Sequence, residues 1–342
     1  MSDGKTTRAN AALGAVTMST IGRLAGVSQV TVSRALSTPS KVSPQTLERI
    51  HEAIRQTGYV PNALAGALAS RRSRLITALV PSITNIVYSS LLHGFSQILR
   101  NDGYQIMLAE CGFDPEEEER LIATMLSRRP DGMLLTGIHH TPASRKMLMG
   151  ADIPVVEVWD ISETPIDVCV GFSHVAAGAA VGEFAGQQGH ATALTITAAD
   201  ERAHRRRAAF AEAFTRTGGQ NVVRVDCAGA ASLGVGRGAF AQAVADHGFT
   251  HGVVFCSSDL LAHGVLIEAQ AQGMAVPGQV AVIGFGDQDY AAAVEPALTT
   301  VKVDRDELGR VAAAQMQRRI LGETLETSVI DLGFSIIRRA SA

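Results

Sequence analysis

The sequence predicts an α/β protein in two parts: a small three-helix head, then a body of two doubly wound parallel-sheet subdomains. Three observations predict it. Residues 18–58 carry the caps and apolar spacing of three short helices. From residue 75 to residue 286, short apolar runs alternate with helical stretches, the pattern of βαβ units. The charge divides in the same place. Residues 1–74 carry ten Lys and Arg against three Asp and Glu, a balance of +7, and the remainder carries 20 against 30, a balance of −10. A basic head on an acidic body fits a polyanion-binding module on a partner that does not bind polyanions.

At 342 residues the chain is long for one compact domain. Residues 1–17 begin polar and small, without the apolar core of a signal peptide, and are expected to be a loose extension. No apolar run approaches the ~18–20 residues of a membrane span. The four cysteines, Cys111, Cys169, Cys227 and Cys256, are scattered, as expected of small buried residues in a reducing cytoplasm.

The head, 18–60, opens with MSTIGRLAGVSQVTVSRALS. This reads as two helices around a tight turn at Gly26, with Ile21, Ala25, Val27, Val32 and Leu36 packing the crossing. Ser28 caps the second helix. Its outward positions are Gln29, Val30, Thr31, Ser33 and Arg34, a surface suited to base edges and phosphates. The arrangement is a helix-turn-helix; the alternative is an ordinary helical hairpin. Ser43 caps a third helix with Pro44 at its first position, Leu47, Ile50 and Ile54 on its apolar face, and Gly58 at its end.

In 61–73, Pro61 breaks the chain and Asn62 can cap a short helix whose large side chains are Leu64 and Leu68. So short a helix hardly forms alone. It is either a segment that becomes helical on binding or a plain linker.

The body, 74–342, starts with strands LITALVP, YQIMLAE, DGMLLTG and PVVEVWD, separated by helices ending near residue 100 and spanning 121–126 and 143–148. VCVGF leads into a second round: helices at 174–188, 203–215, 233–246 and 260–272 alternate with ALTIT, VVRVD, HGVVFC and VAVIGFG. The body is too long for one sheet of usual size, so two similar halves are expected. A cleft would lie between them, beyond the carboxyl ends of the strands.

Two groups of motifs carry a family resemblance. The head holds AGVSQVTVSRAL followed by GYVPNALAGAL; the body holds VVFCSSDLLAHGVL and VAVIGFGDQDY. From about residue 18 to about 339 the chain resembles the LacI/GalR family of bacterial transcription regulators. VVEVWD, PIDVCVGFSH and VIGFGDQDYAAAVEPALTTVKVDR carry a narrower resemblance, to gluconate-utilisation repressors. The family implies a homodimer on a palindromic operator, the second helix of each head in the major groove and paired hinge helices in the minor groove. It also implies a body like the periplasmic sugar-binding proteins, with an N-subdomain of about 74–172 plus 304–331 and a C-subdomain of about 173–303 plus 332–340. The tail IIRRASA lacks a leucine heptad, which favours a dimer over a tetramer.

By position, Gln29, Val30 and Arg34 match the family's base readers; Gln suits adenine, Arg guanine, and Val a thymine methyl. Thr20, Ser28, Thr31, Ser33 and Asn62 suit phosphates. Ala65 and Leu68 fall on the hinge, and Leu68 matches the leucine that wedges between central base pairs. Gly22 stands where the pattern usually has Ala, which should soften the first helix.

Among Arg205, Arg206 and Arg207, Arg206 matches the family's ligand-binding arginine, four residues before Phe210. A guanidinium suits a carboxylate or phosphate, in keeping with a sugar-acid effector, gluconate or 6-phosphogluconate. Asp160, Ser258, Asp259 and Asp287 follow strands and face the expected cleft, with Ser82, Asn85 and Tyr88 opposite. Trp159 either stacks on a sugar or belongs to the core. Ser173 and His174, at the crossover, are weaker candidates. Gly286 stands where the family often has Asp, which would remove repulsion near an acidic ligand. The rivals are another sugar or a purine as effector, or, in another class, a sugar-binding or enzymatic α/β protein.

Other signals carry less. GVGRG at 234–238 lacks dinucleotide-binding spacing and reads as the approach to a helix. His139 and His140 show no metal spacing. Glu116 to Glu119 read as a solvated helix N-terminus. No nucleophile–base pair, cofactor, metal or membrane partner is expected.

Overall fold

The computed structural model describes residues 16–61 and 72–342. The chain divides into two compact units at Ser73 and Arg74. The expected extension before residue 16 and the hinge residues Asn62, Ala65 and Leu68 lie outside the described residues.

The head consists of α1 (Met18–Ala25), α2 (Gln29–Ser37) and α3 (Pro44–Thr57). Thr17 and Thr20 form a reciprocal capping box on α1, and Ser28 and Ser43 cap α2 and α3. Gly26 ends α1 at φ +65°, a left-handed conformation that favours glycine. Ile21, Ala25, Val32, Ala35, Ile50 and Ala53 form the core, with Val27 and Leu36 packed partly against it. Gly22 has a different role from the one its helix propensity suggests. A Cβ there would stand 2.8 Å from the Val27 carbonyl oxygen, so the missing side chain lets the turn close onto α1.

The body holds two six-stranded sheets. In the first, β1 (Leu75–Val80), β2 (Gln105–Glu110), β3 (Gly132–Thr136), β4 (Val155–Val158), β5 (Val168–Gly171) and β11 (Val329–Asp331) take the order β11-β5-β4-β3-β1-β2. In the second, β6 (Thr192–Thr197), β7 (Asn221–Asp226), β8 (Gly252–Cys256), β9 (Val280–Phe285), β10 (Thr299–Lys302) and β12 (Ser335–Ile337) take the order β12-β10-β9-β8-β6-β7. All pairings are parallel except β10 with β12. The central strands are almost wholly buried apolar runs, as a sheet covered on both faces requires.

The connecting helices are α4 (Ile86–Asn101), α5 (Pro115–Leu126), α6 (Pro142–Gly150), α7 (His174–Gln187), α8 (Glu201–Arg216), α9 (Leu233–His247), α10 (Asp259–Ala271) and α11 (Arg305–Ile320). Gly178, Gly182 and Gly186 lie on one stripe of α7, and a Cβ at any of them would collide with α8 or the residue just past its end. At Gly178 the stripe brings the α7 backbone against the backbone of Arg206. GVGRG lies inside α9 rather than before it, and Gly236 admits the Leu261 carbonyl of α10.

The acidic run also departs from expectation. Asp114 caps α5, but Glu118 turns inward with 8% exposure. His140 lies between Glu118, at 2.9 Å, and Glu157 of β4, at 3.3 Å. A sequence run shows its charges but not which one the helix turns toward the sheet.

Candidate functional site

In the head, Gln29, Val30, Ser33 and Arg34 stand exposed on α2, Val30 at 65%. Thr20 and Ser28 are engaged in caps, and the Thr31 hydroxyl lies 2.9 Å from that of Ser28. The exposed face therefore presents one amide, one aliphatic group, one free hydroxyl and one guanidinium around a helix N-terminus.

In the body, a cavity of about 240 Å³ opens beyond the strand ends. Ser82, Asn85, Tyr88, Trp159, Arg206 and Ser258 line it, six of the residues singled out from sequence. Tyr88 and Asn85 come from the start of α4, which Asn85 caps, and Ser258 caps α10. Trp159, at φ +77° and 6% exposed, packs edge-on against Tyr88 and Phe172 while contributing to the wall; it is both core and lining.

Among the charged residues that line this cavity, Arg206 is the least exposed. It is 5% exposed, and its guanidinium lies 4.0 Å from the Phe285 ring centroid. Nη2 donates to the Ser257 carbonyl at 3.2 Å and Nη1 to His174 Nδ1 at 2.8 Å. The other imidazole nitrogen, Nε2, donates to the Trp159 carbonyl at 2.8 Å, so the network assigns His174 as neutral. Burial, then Arg206 and Arg202, hold its pKa well below the ordinary value. Burial also lowers Arg206, to about 10, which leaves it charged at neutral pH. Its Nε has no partner among the described residues.

Arg202, one turn earlier on α8, was not among the residues chosen from sequence. It is 8% exposed and donates from Nη2 to the Tyr88 hydroxyl at 3.0 Å; Nη1 has no partner among the described residues. The i, i+4 spacing from Arg206 was the available signal. Phe285, Ser257 and Gln288 also entered the wall without having been singled out. The four arginines of the α8 N-terminal half therefore divide their tasks. Arg202 and Arg206 face the cavity, Arg205 pairs with Asp160 and Glu201, and Arg207 pairs with Asp226.

Three expected positions fall elsewhere. Asp160 is 1% exposed and borders a second cavity, of about 200 Å³, rather than the first. Asp259 is fully buried; it accepts from Thr300 Oγ1 at 2.5 Å and from the Gln288 amide at 2.7 Å, tying α10 to the strand ends. Asp287 has φ +47°, and its carboxylate takes Arg339 at 2.6 Å, while its neighbours Gly286 and Gln288 reach the wall. These carboxylates follow strands as expected, but partners inside the fold claim each of them: Arg205 for Asp160, Thr300 for Asp259 and Arg339 for Asp287.

His139, Asp160 and Glu201 converge to within 4.8 Å, a grouping that linear spacing did not reveal. The Arg205 guanidinium already pairs with both carboxylates there, supplying the positive charge. No described helix is long and apolar enough to cross a membrane.

Comparison with known proteins agrees with this architecture. The model of bacterial regulatory proteins of the lacI family matches residues 17–62, and the periplasmic binding protein-like domain matches 183–342. The HTH-type transcriptional regulator GntR of Pseudomonas aeruginosa is 34% identical over 330 residues, 96% of each chain. The HTH-type transcriptional repressor CytR of Escherichia coli is 28% identical, over 90% of this chain and 91% of that one. A LacI-family transcriptional regulator from Silicibacter pomeroyi superposes with TM-score 0.90 at 32% identity, covering 95% of this chain and 99% of that one.

Proposed function

This chain belongs to the LacI family of bacterial transcription regulators, and from that premise we propose a repressor that binds a palindromic operator as a homodimer and is released by a sugar acid. Gluconate or 6-phosphogluconate held between the two sheets of the body is the effector of this reading. The observation that carries it is Arg206: a buried guanidinium in the cavity wall, with Nε unpartnered among the described residues and no carboxylate bonded to it. A charge so buried calls for a counter-charge, which an acid supplies and a neutral sugar or a purine does not. The narrower resemblance to gluconate-utilisation repressors and the similarity to GntR support the same reading.

In this reading Gln29, Val30 and Arg34 read base edges, Thr20, Ser28, Thr31, Ser33 and Asn62 serve phosphates, and Ala65 and Leu68 belong to the minor-groove hinge. Ligand and operator are linked reciprocally: an acid that weakens DNA binding binds less well to the DNA complex, with a coupling of ~1–3 kcal/mol. Similarity to CytR keeps a different effector as the second reading.

A mobility-shift titration with a palindromic operator tests the proposal. Binding should fall steeply with salt and be relieved by gluconate or 6-phosphogluconate. Relief by ribose or a purine nucleoside alone would overturn the sugar-acid assignment, and absence of operator binding would overturn the DNA-binding one.

A further inference from the structure

The cleft has two chambers. The cavity of about 240 Å³ and the second one of about 200 Å³ share Phe113, Ala199, Asp200 and Arg202 as common wall. Their charges are opposed. The first chamber has both cavity arginines, Arg202 and Arg206, against one carboxylate, that of Asp200 on the shared wall, 3.9 Å from Arg202 Nε. The second is bordered by Asp114, Glu118, Asp160, Asp200 and Glu201, with Arg202 as the single guanidinium among its lining residues. Arg205 pairs with Asp160 and Glu201, and His140 with Glu118, outside that lining. These two cations offset part of the charge and leave the chamber negative.

We propose that the acidic chamber is a second subsite of the effector site, which takes the hydroxyl-bearing end of an acid anchored at Arg202 and Arg206 and rejects a phosphate at that end. This rests on the sugar-acid reading above and chooses between its two candidates. Arg202 is the independent observation: it is nine-tenths buried, stands on the shared wall, and keeps Nη1 without a partner among the described residues. The anionic group therefore belongs at the junction, not beyond it. Past the junction the carboxylates only accept hydrogen bonds. The occupant must bring donors there, which hydroxyls or an ammonium group supply. A phosphate brings like charge against Asp114 and Glu118, which costs binding.

Calorimetry on the full chain tests this with D-gluconate, 6-phospho-D-gluconate, 6-amino-6-deoxy-D-gluconate and D-glucose. Gluconate should bind about tenfold or more tighter than its 6-phosphate, and the 6-amino acid at least as tightly as gluconate. Asp114→Asn, which keeps a capping side chain, and Glu118→Gln should each narrow the ratio of gluconate to 6-phosphogluconate affinity. Equal or tighter binding of 6-phosphogluconate, or a ratio that neither variant moves, would overturn the subsite while leaving the sugar-acid reading intact. Binding of glucose without any of the three acids, or of none of the four, would overturn that reading itself.

Discussion

Arg206 donates a 2.8 Å hydrogen bond to Nδ1 of His174, and the bond requires a neutral imidazole. Protonating His174 would both remove the acceptor and place a second positive charge against the guanidinium. The body holds another buried histidine with the opposite bias. Burial alone would lower His140, but the hydrogen bond to Glu118 and the Glu157 carboxylate 3.3 Å from Nε2 outweigh it and raise its pKa to about 9.

The two histidines predict opposite slopes of stability with pH. His174 has a depressed folded pKa, so its contribution is complete above the unfolded value of about 6.5 and declines as the unfolded chain takes up the proton below it. His140 has a raised folded pKa, so its contribution is complete below about 6.5 and is lost as pH rises toward 9. Urea denaturation of the full chain from pH 5 to pH 10 should show the body most stable near 6.5. His140→Asn should flatten the alkaline limb; an unchanged limb would remove His140 as its cause.

Arg206→Met should weaken effector binding by about a hundredfold, as loss of a charge-assisted contact worth ~1.5–3 kcal/mol together with its unpaired partners implies. Operator affinity without effector should stay within about threefold, since the residue lies in the separate body unit. Calorimetry and mobility shift together check this. A variant that still responds normally to the acid would remove Arg206 from the site.

Arg34→Ala should lower affinity for the best operator by ~1–3 kcal/mol and relax preference at one base pair. Leu68→Ala should weaken the operator complex and leave ligand binding unchanged. Competition binding against a set of single-base operator variants separates the two. A uniform loss across all sequences for Arg34→Ala would make it a phosphate contact instead.

Gly22→Ala gives opposite predictions from two levels of structure. Helix propensity favours Ala by up to ~1 kcal/mol, but the new Cβ meets the Val27 carbonyl at 2.8 Å. Overpacking of ~1–3 kcal/mol should win, and the head should melt at lower temperature than the parent. A higher melting temperature would show that the turn yields easily.

Much of the architecture was legible because its signals are local. Serine caps before helices, Gly26 and Gly58 after them, and apolar runs alternating with amphipathic stretches are properties of short segments. The exposed face of α2 followed from the same local periodicity. Arg206 was singled out from its neighbours by the family resemblance instead, as the arginine four residues before Phe210.

What the sequence determined by itself was therefore the order of elements, the basic head on an acidic body, and the residue types offered at each strand end. Tertiary structure decided which of those side chains face the same space. Asp259 and Asp287 leave the cavity wall because Thr300 and Arg339, distant in sequence, supply their hydrogen bonds. Arg202 enters the wall because the glycine stripe of α7 brings α8 close and Tyr88 of α4 meets its guanidinium. Capping and periodicity act over a few residues, whereas burial and pairing of charge depend on which distant segments share a low-dielectric space.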